Sequence, residues 1–254
     1  MRVFKDKRTR TLIIIMSALV FIAIIIAHFW FKYENESTDP RVVEANNLYA
    51  GYNTLARAAE FDQVFLLLDT LEAIYRNIPH YRNSYEVGVL HNNRAAACIT
   101  LAIAPDNKDS VKIDSLFSAA KFFVLKSIVI YNEWLKKWGD LDEKQTMEKL
   151  AAYFKPDDPV FQGKNIDRYR RKRAREIEEA RHETPRRLSA SHTNLGIIHR
   201  HRKEYDEAVE QYLVALELWG DNLAAENNMN ILLNKPLKKR SLFRRIFPKD
   251  RISR

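Results

Sequence analysis

The sequence predicts an all-α protein: a single N-terminal transmembrane helix followed by a stack of antiparallel helical hairpins. Residues 11 to 31, TLIIIMSALVFIAIIIAHFWF, carry no formal charge, and about twenty apolar residues in a helix cover the roughly 30 Å hydrocarbon core of a bilayer. Beyond them, apolar residues recur at three- and four-residue steps in one segment after another, the period of helices buried along one face. The chain has only six Gly and eight Pro in 254 residues, so most of it is packed helix with few interruptions.

Charge orients the first helix. Arg2, Lys5, Lys7, Arg8 and Arg10 precede it against Asp6 alone, whereas Glu34, Glu36 and Asp39 follow it against Lys32. The positive-inside bias puts residues 1–10 in the cytoplasm, residues 11–33 across the membrane as a signal anchor, and the rest on the non-cytoplasmic side. His28, Phe29, Trp30, Phe31 and Tyr33 form an aromatic cluster at the exit, suited to the headgroup level. A cleaved signal peptide would have a shorter apolar region and a small-x-small site, and this segment fits neither. The single Cys98 lies in the Ala-rich stretch RAAACITLAI and reads as a small core residue. With no second Cys there is no disulfide within the chain, and an oxidising compartment is tolerated.

The remaining elements follow in order. Residues 34–40, ENESTDP, are polar, end in Pro40 and read as a linker; the helical domain covers 41–234. Val43, Leu48, Tyr52, Leu55 and Ala59 mark one helix over 42–57. Phe61, Val64, Leu68, Leu71, Ile74 and Ile78 mark a second that stops before Pro79, and the short connection makes the two a hairpin. A third helix runs from Ser84 to Ala104 and a fourth from Ile113 to Trp138. There Gly139 suits a left-handed cap and Asp140 the start of the next helix. Trp219-Gly220-Asp221 repeats that punctuation, an echo expected of stacked related units. KPDDPVFQG at 155–163 is a loop. Lys164 to Arg202 is a long charged helix kinked or interrupted at Pro185, and Leu223 to Leu233 closes the stack. The basic run Arg168 to Arg175 reads as a solvated face paired at helical spacing with Glu176, Glu178, Glu179 and Glu183.

Residues 189–222 carry a family resemblance. Leu195-Gly196, Tyr205, Ala208, Tyr212 and Ala215 stand where a tetratricopeptide repeat has its Leu-Gly, turn aromatic and helix-locking small and aromatic residues, so the stretch resembles one such repeat. His192, His199 and Gly220 depart from the usual Trp, Tyr and Pro. A weaker match covers Asn93-Arg94-Ala95-Ala96-Ala97. It pairs either with Ala120 and Ser127 or, if Trp138 sets the register, with Ser127 in the place of Ala208; both registers stay open. The resemblance implies a stack whose first helices line a concave groove for peptides. It also implies that Asn93, Asn194 and Asn228, at one equivalent position, would hold a partner's main chain, since an amide both donates and accepts. Family members that clamp a terminal carboxylate add Lys four residues earlier; Val89, Ala190 and Ala224 stand there, so that activity is not implied.

Little points to catalysis. His182, His192, His199 and His201 form no His-Glu-x-x-His pair, and the chain has no Gly-rich phosphate loop, Gly-x-Ser-x-Gly elbow or Cys-x-x-Cys. The reading is a non-enzymatic scaffold or adaptor that needs no cofactor or metal and binds protein partners through its groove. The alternatives are a non-catalytic structural subunit of a membrane complex and, less favoured, an envelope enzyme. The net charge of +9 sits at the two ends, leaving the middle slightly acidic, so no nucleic-acid partner is expected. In the basic tail, 235–254, Leu242, Phe243, Ile246 and Phe247 would share one side of a short amphipathic helix. Lys239, Arg240, Arg244 and Arg245 around them suit contact with an anionic membrane or acidic partner; a disordered basic end is the other reading.

Overall fold

A computed structural model describes residues 7–240, and every regular element among them is helical. The order is α1 (Lys7–Glu36), α2 (Val43–Tyr49), α3 (Tyr52–Arg57), α4 (Phe61–Arg76), α5 (Tyr85–Ala102), α6 (Ser110–Trp138), α7 (Glu143–Leu150), a 3-10 turn (Pro159–Phe161), α8 (Ile166–His201), α9 (Tyr205–Leu218) and α10 (Leu223–Leu232). Helix α1 is long and apolar enough to cross a membrane, and its apolar side chains are exposed along its length.

Helix ends follow local chemistry. Asp109 accepts from the backbone N–H groups of Val111 and Lys112 at the start of α6. Asp142 and Gln145 form a reciprocal capping box on α7, and Asn165 and Asn222 cap α8 and α10. The helix expected over 42–57 is two, because the chain turns at Ala50-Gly51, where Gly is a poor helix residue. The expected left-handed cap at Gly139 does not form: its backbone is helical at φ −60° and ψ −43°. The carbonyls there are satisfied from elsewhere. Arg181 of α8 donates to Gly139 O and Leu141 O, and Lys149 Nζ donates to Lys137 O at 2.7 Å. The following helix accordingly starts after Asp142 rather than at Asp140. Helix α8 runs unbroken through Pro185. Buried Ile177, Thr184 and Leu188 on either side hold it, and Thr184 Oγ1 donates to Ala180 O at 2.6 Å in the turn before the proline.

The domain is assembled from helices that are neighbours in sequence, α5 against α6, α8 against α9 and α9 against α10, with α8 also packed on α5, α6 and α7. Two of these pairs share one device. Gly88 of α5 lies under the ring of Tyr131 of α6, where an added Cβ would come within 2.6 Å of Cε1; Gly196 of α8 lies in the same way under Tyr212 of α9. Both tyrosines are fully buried, so each ring fills the space a side chain on the first helix would need. One turn before each tyrosine, Ser127 and Ala208 are also fully buried. Ser127 thus stands to Tyr131 as Ala208 stands to Tyr212. Superposing Gly88 on Gly196 brings Asn93 level with His201 rather than with Asn194.

The close approach yields a stability prediction. Gly88→Ala and Gly196→Ala each place a methyl inside a tyrosine ring, an overpacking that costs about 1–3 kcal/mol, or roughly 3–10 °C in Tm for a domain of this size. Gly51→Ala, whose added carbon meets its nearest neighbour at 3.5 Å on helical backbone, should instead hold or raise Tm, by up to about 4 °C. Thermal unfolding followed by circular dichroism in detergent checks this, and unchanged melting in both ring-facing variants contradicts the packing.

Candidate functional site

Helix α8 has two chemically different halves, and the candidate site is built at their far ends. In the N-terminal half, Arg168, Lys172 and Arg175 fall on one face by their helical spacing. They meet the end of α1. Lys172 Nζ and Arg175 Nη2 bind the two oxygens of Glu34 at 2.8 and 2.9 Å, and Arg168 Nη2 lies 3.5 Å from Glu36. Arg168 also donates to Ser37 Oγ at 2.7 Å and to Tyr33 O, with its guanidinium 4.1 Å from the centre of the Tyr33 ring. The run Arg168 to Arg175 is therefore not the solvated face expected from sequence. Of the four acids proposed as its partners only Glu176 pairs with it, at 3.2 Å from Arg173. Arg173 is buried, bound to Glu86 at 2.6 Å and set over the Tyr81 ring.

The segment after α1 is held by a second cluster. Asp39 is buried and accepts from the Arg41 guanidinium and from its backbone N–H. Arg41 reaches on to Tyr153 O at 3.1 Å and Asp158 at 3.3 Å, over the Phe154 and Phe161 rings. Buried His80 places Nε2 3.5 Å from Asp39 Oδ2. Burial pushes the His80 imidazole down to about 4, only partly opposed by Asp39. Burial also works to raise the Asp39 carboxyl, but His80 and Arg41 outweigh it and bring it to about 2. His91 is likewise pushed down by burial, with Glu72 opposing.

In the C-terminal half, small polar residues form a buried seam. Asn92 Oδ1 of α5 accepts from Ser191 Oγ at 3.1 Å and Asn194 Nδ2 at 3.0 Å. Asn222 Nδ2 donates to Ser189 Oγ and Thr193 Oγ1 at 2.7 and 2.8 Å, and Ser189 Oγ donates to Ala215 O. Beside the seam a cleft of about 320 Å³ opens between α8 and α10, lined by Arg186, Arg187, Asn194, Trp219 and Asn222 among others. Arg187 Nε donates to Tyr85 OH at 3.2 Å, and Arg186 lies 5.1 Å from the Trp219 ring. A guanidinium, an amide and an indole around one cleft can meet a carboxylate or a peptide main chain.

The three asparagines singled out from sequence stand apart. Asn194 lines this cleft, and Asn93 is buried and donates to Tyr49 OH at 3.1 Å. Asn228 donates within its own helix to Ala224 O. Sequence reasoning missed Arg187, Trp219 and Asn222, and the available signal was the cluster of Ser and Thr at 189–193 in a helix that otherwise alternates charge and apolar residues. Of the tail residues, Lys239 is exposed and Arg240 turns back to Asp221 O at 2.7 Å; Leu242, Phe243, Arg244, Arg245, Ile246 and Phe247 lie outside the described residues. Comparison with protein-family models, curated proteins and solved structures finds no match to the chain.

The depressed histidine sets a pH dependence. Between its ordinary 6.5 and about 4, the unfolded chain takes up a proton that folded His80 does not. Stability therefore falls as pH drops through that window. Below 3.8 the Asp39 contribution is lost as well, toward about 2. Tm should decline from pH 6.5 to 4, and His80→Phe, which keeps a ring among Tyr81, Tyr153 and Phe154, should shrink the decline, leaving the shares of His91 and His201, both also lowered by burial. An identical slope in parent and variant contradicts the assignment.

Proposed function

We propose that the chain is a membrane-anchored adaptor of the tetratricopeptide-like kind, whose cleft between α8 and α10 takes a segment of a partner protein. The observation that carries the reading is the repeated tyrosine-over-glycine contact of α5 with α6 and of α8 with α9. Helix pairs locked in one way stack with a regular rotation, and the first helices of such pairs line a concave wall. Arg187 and Asn194 of α8 line the cleft, and Trp219 and Asn222, between α9 and α10, border it as well. The Arg187 guanidinium and the Asn194 amide suit a peptide main chain or an acidic side chain, while Asn222 is held in the seam below them. Helix α1 serves as the anchor in this reading, with the cations before it in the cytoplasm and the helical domain on the far side.

A second reading, a non-catalytic structural subunit of a membrane complex, draws on α6. Phe122, Leu125 and Val129 recur at helical spacing on its outer side and are all exposed, by 60%, 44% and 52%. Such a stripe suits burial against another subunit.

Photo-crosslinking in native membranes separates the two. A photoreactive residue at Ala190 or Ala224, both lining the cleft, should yield a discrete protein adduct. Arg187→Ala with Asn194→Ala should reduce that adduct about thirtyfold, as loss of two interactions of roughly 1 kcal/mol each requires. An adduct from Phe122 with none from the cleft positions would replace the adaptor with the subunit reading. Protease digestion of sealed vesicles of known orientation tests the side: the domain should be protected when the cytoplasmic face is outward.

A further inference from the structure

After α10 the chain reverses on Asn234, which takes a left-handed conformation at φ 52°. Lys235 N then donates to Asn230 O at 2.8 Å, and residues 235–240 run back along α10 without regular structure of their own. Asn227 holds both main-chain groups of Lys238: its Oδ1 accepts the backbone N–H at 2.8 Å, and its Nδ2 donates to the carbonyl at 3.0 Å. Glu226 pairs with the Lys238 ammonium. Two residues on, Arg240 Nη2 donates to Asp221 O at 2.7 Å with its guanidinium 5.6 Å from the Trp219 ring. Asn230 Nδ2 adds a longer bond of 3.4 Å to Pro236 O.

These contacts are those of a ligand in a site rather than of a packed segment. Leu237, the one large apolar residue in the stretch, is 58% exposed, so apolar burial contributes little to holding it. What holds it is a main-chain grip indifferent to sequence, an acid for one cation, and a carbonyl with an aromatic face for the next. A space of about 90 Å³ remains between Trp219, Leu223, Glu226 and the tail.

We propose that the α10 face from Trp219 to Asn230 is a binding site for an extended basic peptide of a partner protein. The peptide pattern it reads is a Lys followed two residues later by Arg, and residues 235–240 occupy the site in cis as a tethered competitor. The site is distinct from the α8 cleft, with which it shares Trp219. A short tether gives the tail an effective concentration in the millimolar range, so a free peptide meets a largely filled site until the tail is released.

The test uses the full chain in non-ionic detergent and a fluorescein-labelled peptide of residues 235–240, Lys-Pro-Leu-Lys-Lys-Arg, read by anisotropy. The variant Lys238→Glu with Arg240→Glu disables the tail and leaves the site intact. It should bind the free peptide at least about tenfold more tightly than the parent chain. Adding Asn227→Ala should abolish that gain, and a peptide with Glu in place of Lys238 and Arg240 should not bind. Asn194→Ala, in the other cleft, should have no effect, which keeps the result independent of the adaptor reading. Melting curves of the Lys238→Glu and Arg240→Glu double variant, with and without Asn227→Ala, should match the parent, since residues 235–240 lie outside the packed helices. Equal affinity with and without the tail cations, binding that survives Asn227→Ala, or no binding to any variant would each overturn the proposal.

Discussion

A continuous helix with charge in one half and small buried polar residues in the other is the constraint on which the arrangement turns. Helix α8 spans 36 residues, about 54 Å of rod, and both ends of the candidate machinery are attached to it. Its first turns grip Glu34 and Glu36 at the end of α1, and its last turns carry Gly196 under Tyr212 and the polar seam beside the cleft. A rod fixed at both ends transmits position. The cleft is thereby held at a set distance from the end of the apolar helix, where the proposed membrane surface would be.

The strength of that attachment rests on number and shielding rather than on any one ion pair. An exposed pair contributes about 0–1 kcal/mol at most. Here Glu34 meets two cations with its side chain 17% exposed, while Arg168 adds a carbonyl, a hydroxyl and the Tyr33 ring. The neighbouring cluster adds buried Asp39, fixed by Arg41, which reaches on to Tyr153 O, so the linker is bound to the domain within a few residues of leaving α1. Elsewhere the same chemistry sets which helices meet. Arg94 of α5, buried, reaches Glu72 and Asp69 of α4, and Arg173 of α8 reaches Glu86 of α5. Charges this deep cost much of what they gain. Their effect is to penalise any packing that leaves one of them unpaired.

The helical content and the apolar first helix were legible because each depends on residues near one another in the chain: the uncharged run at 11–31, the periodic stripes, and the Leu195-Gly196, Ala208, Tyr212 set. What could not be read depended on partners far away in sequence. The cations at 168–175 looked self-sufficient beside Glu176, Glu178, Glu179 and Glu183, yet the partners of Arg168, Lys172 and Arg175 precede them by more than 130 residues, and Arg173 reaches back to Glu86. Two signals were present: the spacing of Arg168, Lys172 and Arg175, and two acids placed directly after an apolar helix. At Gly139, where a left-handed cap was expected, a donor from farther along the chain again takes part: Lys149 meets the Lys137 carbonyl in the last turn of α6, and Arg181 meets the carbonyls of Gly139 and Leu141 just beyond it. The asparagines illustrate the limit of position-matching. Asn92 rather than Asn93 meets Asn194, and Asn227 rather than Asn228 holds a main chain.

The claim that α8 fixes the cleft relative to α1 is tested most directly by a distance distribution. Spin labels at Lys32 on α1 and at exposed Glu207 on α9, in a Cys98→Ala background and measured by double electron–electron resonance in lipid bilayers, should give one narrow peak. That peak should broaden when Glu34→Ala and Glu36→Ala are introduced together. A broad distribution in the parent, or a narrow one indifferent to loss of the two acids, would contradict the account.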